Sequence, residues 1–122
     1  MSGKKTLVIG ASQHPWRYAF LAVNRLLAKG YEVIPLGIEK GQISGVEIET
    51  ERKAFKDIDT ITLYINPHIQ KEYYDYIIET IKPGRIIFNP GTENPEFKKS
   101  AESKGIETVE ACTLVMLSLN QY

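Results

Sequence analysis

Short β-branched runs that alternate with segments of helical spacing, with glycine or proline at most junctions, predict an α/β fold. Strands separated by helices cannot be joined by tight hairpins, so the sheet should be parallel with right-handed crossovers. The expected form is a Rossmann-like doubly wound parallel sheet in three αβα layers, with strand order 3-2-1-4-5. At 122 residues the chain has the length of one domain, spanning 1–122, and can bury a core without disulfides or metals to staple it.

Thr6 to Ile9 is the first strand, an apolar and β-branched run closed by Gly10, as expected where both faces are buried. Ala19, Ala22, Val23, Leu26 and Leu27 then recur at helical spacing, and Gly30 stands where a helix end favours a left-handed residue. Tyr31 to Pro35 is the second strand. "GIEKGQISG" is rich in glycine and polar residues and predicts a surface loop, followed by a short third strand at Val46 to Ile48. Thr60 to Ile65 is the fourth strand. Ile69, Tyr73, Ile77 and Ile81 line one face of a helix that stops at Lys82-Pro83-Gly84. Arg85 to Phe88 is the next strand, Phe97 and Ala101 mark a shorter helix ended by Gly105, and Ile106 to Val109 is the last strand. An apolar helix around Thr113 to Leu119 follows.

Fifteen basic and 15 acidic residues balance to a formal net charge of zero, so no positive field exists to hold nucleic acid or an anionic membrane. No apolar segment reaches the roughly 18 residues of a membrane span. Met-Ser-Gly-Lys-Lys runs directly into the first strand and leaves no room for a leader, so a soluble cytoplasmic protein is expected. The single Cys112 can form neither an internal disulfide nor a thiolate metal site, and His14 and His68 lack the clustered partners of a zinc motif. No metal is expected.

Ligands of doubly wound sheets bind beyond the strands' carboxyl ends, where strand order reverses, here between the first and fourth strands. That topology selects residues 10–18, 36–39, 64–68 and 89–94. The loop Gly10-Ala11-Ser12-Gln13-His14-Pro15 follows a strand and precedes a helix, so its amides should face outward toward an anion. It supplies only the first of the three glycines of a dinucleotide fingerprint. The second strand ends in Pro35-Leu36-Gly37, with Glu39 two residues beyond, instead of in a ribose-binding carboxylate. This is a weak match to NAD and a better one to a phosphate loop with Ser12 and Arg17 as extra donors. Asn66-Pro67 and Asn94-Pro95 each place an N-cap before a proline at the first helical position, and Asn89-Pro90-Gly91 turns sharply out of a strand. Asn66 and Asn89, at the ends of central strands, should both cap and contact ligand.

"VIGAS…P.R", the second strand Gly-Tyr-Glu-Val-Ile-Pro, "ISG", "YINP", "NPGTEN" and "EACTL" stand in this order from Thr6 to Leu117. Together they resemble the small single-domain CoA-binding protein family, which is similar to the N-terminal CoA-binding domain of the succinyl-CoA synthetase alpha subunit. The resemblance implies that Gly10, Ala11, Ser12, Pro15 and Arg17 meet the phosphates of CoA or an acyl-CoA, and that Leu36 and Gly37 approach the nucleotide. Tyr64, Ile65, Asn66 and Pro67 would lie along the adenosine and pantetheine side, and Asn89, Pro90, Gly91 and Thr92 near the pantetheine arm. Where the family usually reads Val-Asn-Pro after the second strand, this chain reads Leu36-Gly37-Ile38.

The related ligases work through a phosphohistidine in a second domain, and no such domain is expected in this chain. His14 could serve the phosphate loop as a donor, whereas His68 falls in a helix's first turn. Cys112, if it starts the last helix, would have a somewhat favoured thiolate, but no histidine is tied to it and a small buried apolar role is the commoner one. Glu93, Glu96, Glu107 and Glu110 have no spacing of a paired acid and base. Trp16 and Tyr18, flanking Arg17, either stack on an adenine or cover the helix start. The expected function is therefore binding of CoA or an acyl-CoA, a small-molecule nucleotide ligand, without catalysis. An NAD(P)-binding oxidoreductase-type domain and a protein-interaction module with a degenerate pocket stay open, as does an unidentified protein partner.

Overall fold

The computed structural model describes residues 4–122; the leader expectation rests partly on residues 1–3, which lie outside them. Its central strands are β1 (Thr6–Ile9), β5 (Thr60–Leu63) and β6 (Arg85–Phe88), and every residue of all three is buried. Strands enclosed on both faces are apolar or β-branched almost throughout, with Arg85 at the start of β6 the exception, which is why they read as nearly unbroken runs. With β2 (Val33–Leu36) and β7 (Glu107–Glu110) they form one parallel sheet in the order β2-β1-β5-β6-β7. Thr6 stands opposite both Val33 and Thr60, Thr60 opposite Arg85, and Arg85 opposite Glu107.

Alternation along the strands feeds two half-cores, one on each side of the sheet. Val8 and Ile87 pack against Ala19, Val23 and Leu26 of α1 (Tyr18–Ala28) and Met116 and Leu117 of α4 (Thr113–Ser118). Leu7, Ile9, Ile61, Leu63, Ile86 and Phe88 pack on the opposite face with Ile77 and Ile81 and with Phe97 and Ala101 of α3 (Pro95–Ser103). The result is the expected three-layer, Rossmann-like α/β sandwich.

The order departs from expectation at one edge. Gln42–Ile43 (β3) and Val46–Glu47 (β4) form a two-stranded antiparallel ribbon of their own. Ser44 (φ 49°) and Gly45 (φ 83°) join them in the left-handed conformations of a tight hairpin turn. The third strand expected beside β2 is thereby reduced to one parallel bridge between Leu36 and Glu49. "GIEKGQISG" is thus partly a hairpin. At the other edge the last strand, β7, completes the five.

The helix expected after β5 is also irregular. It opens as α2 (Pro67–Gln70), tightens into a 3₁₀ turn at Lys71–Tyr73 and widens into a π-helical segment at Tyr76–Ile81. The Lys82 amide closes it by donating to Ile77 O five residues back at 2.9 Å, and Lys82 itself turns left-handed (φ 51°) before Pro83. Tyr73, Ile77 and Ile81 are buried as predicted, whereas Ile69 turns to the surface and Gln70 takes the buried place. Asn66 and Asn94 cap as expected: Oδ1 of each accepts from Ile69 N at 2.9 Å and Phe97 N at 3.0 Å, respectively. Among the described residues no helix is long and apolar enough to cross a membrane, and no group of three or more His, Cys, Asp or Glu could hold a metal.

Candidate ligand-binding groove

Crossovers leave β1 and β5 in opposite directions, so the loops after them part and open a crevice at the sheet's carboxyl edge. Gly10 makes that edge passable. Its φ of +95° is a left-handed conformation, and a Cβ there would lie 2.9 Å from Tyr64 O. The amides of Gly10 and Ala11 both donate to Leu36 O at 3.0 Å. The first two amides of the loop therefore bind β2 and do not face outward, contrary to expectation. Among the described residues nothing accepts from the Ser12 or Gln13 amide, and no side chain caps α1. The Ser12 hydroxyl accepts from His14 N at 3.1 Å and the Arg17 amide donates to His14 O at 3.1 Å, which folds residues 12–17 into compact turns before α1 begins.

Three cavities adjoin along the edge. The largest, about 510 Å³, is lined by Gly10, Ala11, Ser12, Arg17, Gly37, Tyr64, Ile65 and Asn66, with His14, Ile38, Glu39, Ile69 and Tyr73. A second, of about 390 Å³, shares Gly10, Arg17, Tyr64, Ile65 and Asn66 and continues to Pro90, Gly91 and Thr92, with Trp16, Tyr18 and Ala19 on its wall. The third, about 210 Å³, shares Tyr64 and Pro90 and ends at Asn89, Tyr18, Cys112 and Leu114. Arg17 lines the first two and is exposed, and its guanidinium has no hydrogen-bond or ion-pair partner among the described residues. Three expected residues do not line the groove. Leu36 is in the core and contributes its carbonyl to the Gly10 turn, Pro15 is on an exposed turn, and Pro67 starts α2.

Asn89 is 2% exposed and ties three elements together. Its Nδ2 donates to Thr62 Oγ1 at 2.7 Å and Leu63 O at 2.8 Å, and its Oδ1 accepts from Thr113 N at 2.9 Å. It thus caps α4, a distant helix, and both its amide hydrogens are spent inside the protein. The wall beyond it is equally fixed. Thr92 Oγ1 donates to Asn89 O at 2.8 Å, and the Gly91 amide (φ 92°) donates to Glu93 Oε1 at 2.9 Å. Gln70, not singled out in the sequence, joins the two sides of the groove. Its Nε2 donates to Ile65 O at 2.9 Å and Thr92 O at 2.8 Å, and its Oε1 accepts from Asn94 Nδ2 at 3.0 Å. A polar residue one place out of step with the Ile69 stripe was the only signal available.

A model of the CoA-binding domain family matches residues 4–118. The chain belongs to that CoA-binding domain family. Solved structures share the fold. A crystal structure of an uncharacterized protein is 48% identical, with a TM-score of 0.95 and full coverage of both chains. A hypothetical protein from Pyrococcus horikoshii OT3 is 26% identical over 95% of this chain and 82% of its own, with a TM-score of 0.85. A conserved hypothetical protein from Pyrococcus furiosus is 28% identical over 92% and 97%, with a TM-score of 0.80. No curated protein matches. Gly37, where the resemblance leads one to expect asparagine, has no room for a side chain as the loop stands: a Cβ there would collide with the Ala11 carbonyl oxygen.

Two more features give the groove its chemistry. Tyr64 Oη is buried with no hydrogen-bond partner among the described residues; the Thr113 and Thr62 hydroxyls are near without meeting hydrogen-bond geometry. Burial pushes its phenol up to about 12, a rise those hydroxyls temper, so Tyr64 is a neutral donor at physiological pH. At the opposite end His14 Nε2 lies 3.6 Å from Glu39 Oε1, and the His14 ring stacks on Trp16 with centroids 4.7 Å apart.

Proposed function

We propose that the groove binds CoA or an acyl-CoA and carries out no catalysis of its own, in a cytoplasmic protein with neither a nucleic-acid nor a membrane partner. In this reading the diphosphate lies at Arg17, where the two larger cavities meet, and the Ser12 and Gln13 amides together with the start of α1 add donors. The adenosine lies toward Gly37 and Glu39, and the pantetheine arm runs over Tyr64 to Asn66 and past Pro90 to Thr92 into the narrow cavity at Cys112 and Leu114. An elongated ligand with a bulky nucleotide head and a thin arm suits cavities that shrink along the edge.

The observation that carries the reading is Arg17: an unpaired guanidinium at the junction of two cavities, in a chain of the CoA-binding domain family. Calorimetric titration with CoA and acetyl-CoA should give saturable heats, and flat traces from folded protein would defeat the reading. Arg17→Ala should weaken binding about tenfold to a hundredfold, the weight of a charge-assisted contact. Its melting temperature should stay unchanged, because Arg17 has no partner to lose.

Glu39 favours a second reading, an NAD(P)-binding oxidoreductase-type domain, since a carboxylate near the end of the second strand is what holds a nicotinamide dinucleotide's ribose. The missing glycines count against it. A rise in melting temperature with NADH or NADPH but not with CoA would favour it.

A further inference from the structure

We infer that the groove selects nucleotides whose ribose has a free 3′-hydroxyl over those with a 3′-phosphate, and that Glu39 makes the selection; this rests on the CoA reading of the same site and names its preferred ligand class as 3′-dephospho-CoA and its thioesters. Arg17 and Glu39 are the side chains of fixed charge that line the three cavities, so the lining is formally balanced. The diphosphate of a CoA-type ligand carries two negative charges, which Arg17 and the free loop amides can meet. A phosphomonoester adds nearly two more. Nothing in the lining answers them.

The negative charge also stands at the wrong place for a phosphate. Glu39 lies three residues past the end of β2, on the nucleotide side, in the cavity that also holds Gly37 and Ile38. A carboxylate accepts hydrogen bonds from ribose hydroxyls and repels a phosphate ester in the same position. His14 Nε2 lies 3.6 Å from that carboxylate, with its ring stacked on Trp16. Of the neighbouring cations Arg52 and Lys40, only Arg52 is paired: it stacks over Tyr73, 4.0 Å from its centroid, and meets Glu72 at 3.4 Å. Lys40, although it has no partner among the described residues, lines a different depression from Glu39, beside the hairpin.

Glu39 is largely exposed, so its effect is moderate and screened by salt. Titrations of the full chain at low ionic strength should find 3′-dephospho-CoA about tenfold tighter than CoA, the scale of one or two unit charges a few ångströms apart near water. Glu39→Lys should strengthen CoA about tenfold and shift 3′-dephospho-CoA far less, with Glu39→Gln between the two, and raising the salt should shrink the differences. CoA binding as tightly as 3′-dephospho-CoA, or both ligands gaining equally from Glu39→Lys, overturns the inference and leaves the CoA reading standing. Failure of both ligands to bind overturns the two together.

Discussion

Gly37 and Ala11 meet backbone to backbone at the head of the groove: a side chain on Gly37 would run into the Ala11 carbonyl oxygen and come within 3.2 Å of Ile48 Cγ2. Both backbones are tied by hydrogen bonds. The Gly37 amide donates to Glu49 O at 2.9 Å, and the Ala11 amide to Leu36 O at 3.0 Å. Gly37→Ala should therefore cost about 1–3 kcal/mol, as overpacking does in a fixed environment. Gly37→Asn, the residue the resemblance leads one to expect there, should cost at least as much. Urea denaturation measures both, and an asparagine variant as stable as the parent would mean that the loop after β1 can move aside.

Asn89 joins β6 to β5 and to the start of α4 with three hydrogen bonds, all buried. Asn89→Ala should lower stability by about 3 kcal/mol, because it removes a helix cap and strands buried polar groups. Asn89→Asp should also destabilise, since a carboxylate oxygen would replace the donor facing Leu63 O. The loss should appear as a lower denaturation midpoint without ligand. A variant that keeps the parent's midpoint but loses CoA affinity would make Asn89 a ligand contact first and a structural residue second.

The sequence showed what local chemistry decides. β1, β5 and β6 were legible because strands buried on both faces are mostly apolar or β-branched, and the Asn66 and Asn94 caps because Asn-Pro at a helix start has one common use. The Gln42–Glu47 hairpin was missed because Ser44 takes the left-handed place more often filled by Asn, Asp or Gly, so Ser-Gly read as loop. The π-helical turn was legible only in hindsight: Tyr73, Ile77 and Ile81 are each four apart, with no three-residue step. The groove residues were located by topology, since Gly10, Arg17, Gly37 and Tyr64 follow from where the strands end. What each does there depended on distant partners. The capture of the Gly10 and Ala11 amides by Leu36, and of Asn89 by Thr113, are pairings 24 to 26 residues apart that no local pattern announces.

Tyr64 makes the stability of the fold sensitive to alkali. Its hydroxyl is buried without a partner, and burial raises the phenol to about 12, against roughly 10 in an unfolded chain. Below pH 10 the phenol is protonated in both states and its contribution is whole. Between pH 10 and 12 the unfolded chain releases the proton and the folded one keeps it, so stability falls as pH rises, by about 2–3 kcal/mol across that interval. Tyr76, also pushed up to about 12 by burial, and Tyr122, raised by burial as well, act in the same direction; Tyr76 is more open to water and contributes less. Tyr64→Phe should flatten the fall without abolishing it. Near pH 8 the variant should be as stable as the parent or up to about 1 kcal/mol more so, because it removes a buried hydroxyl that bonds to nothing. Urea melts at pH 8, 10, 11 and 12 measure both effects, and a phenylalanine variant that is clearly weaker at pH 8 would show that the Tyr64 hydroxyl has a partner in the free protein.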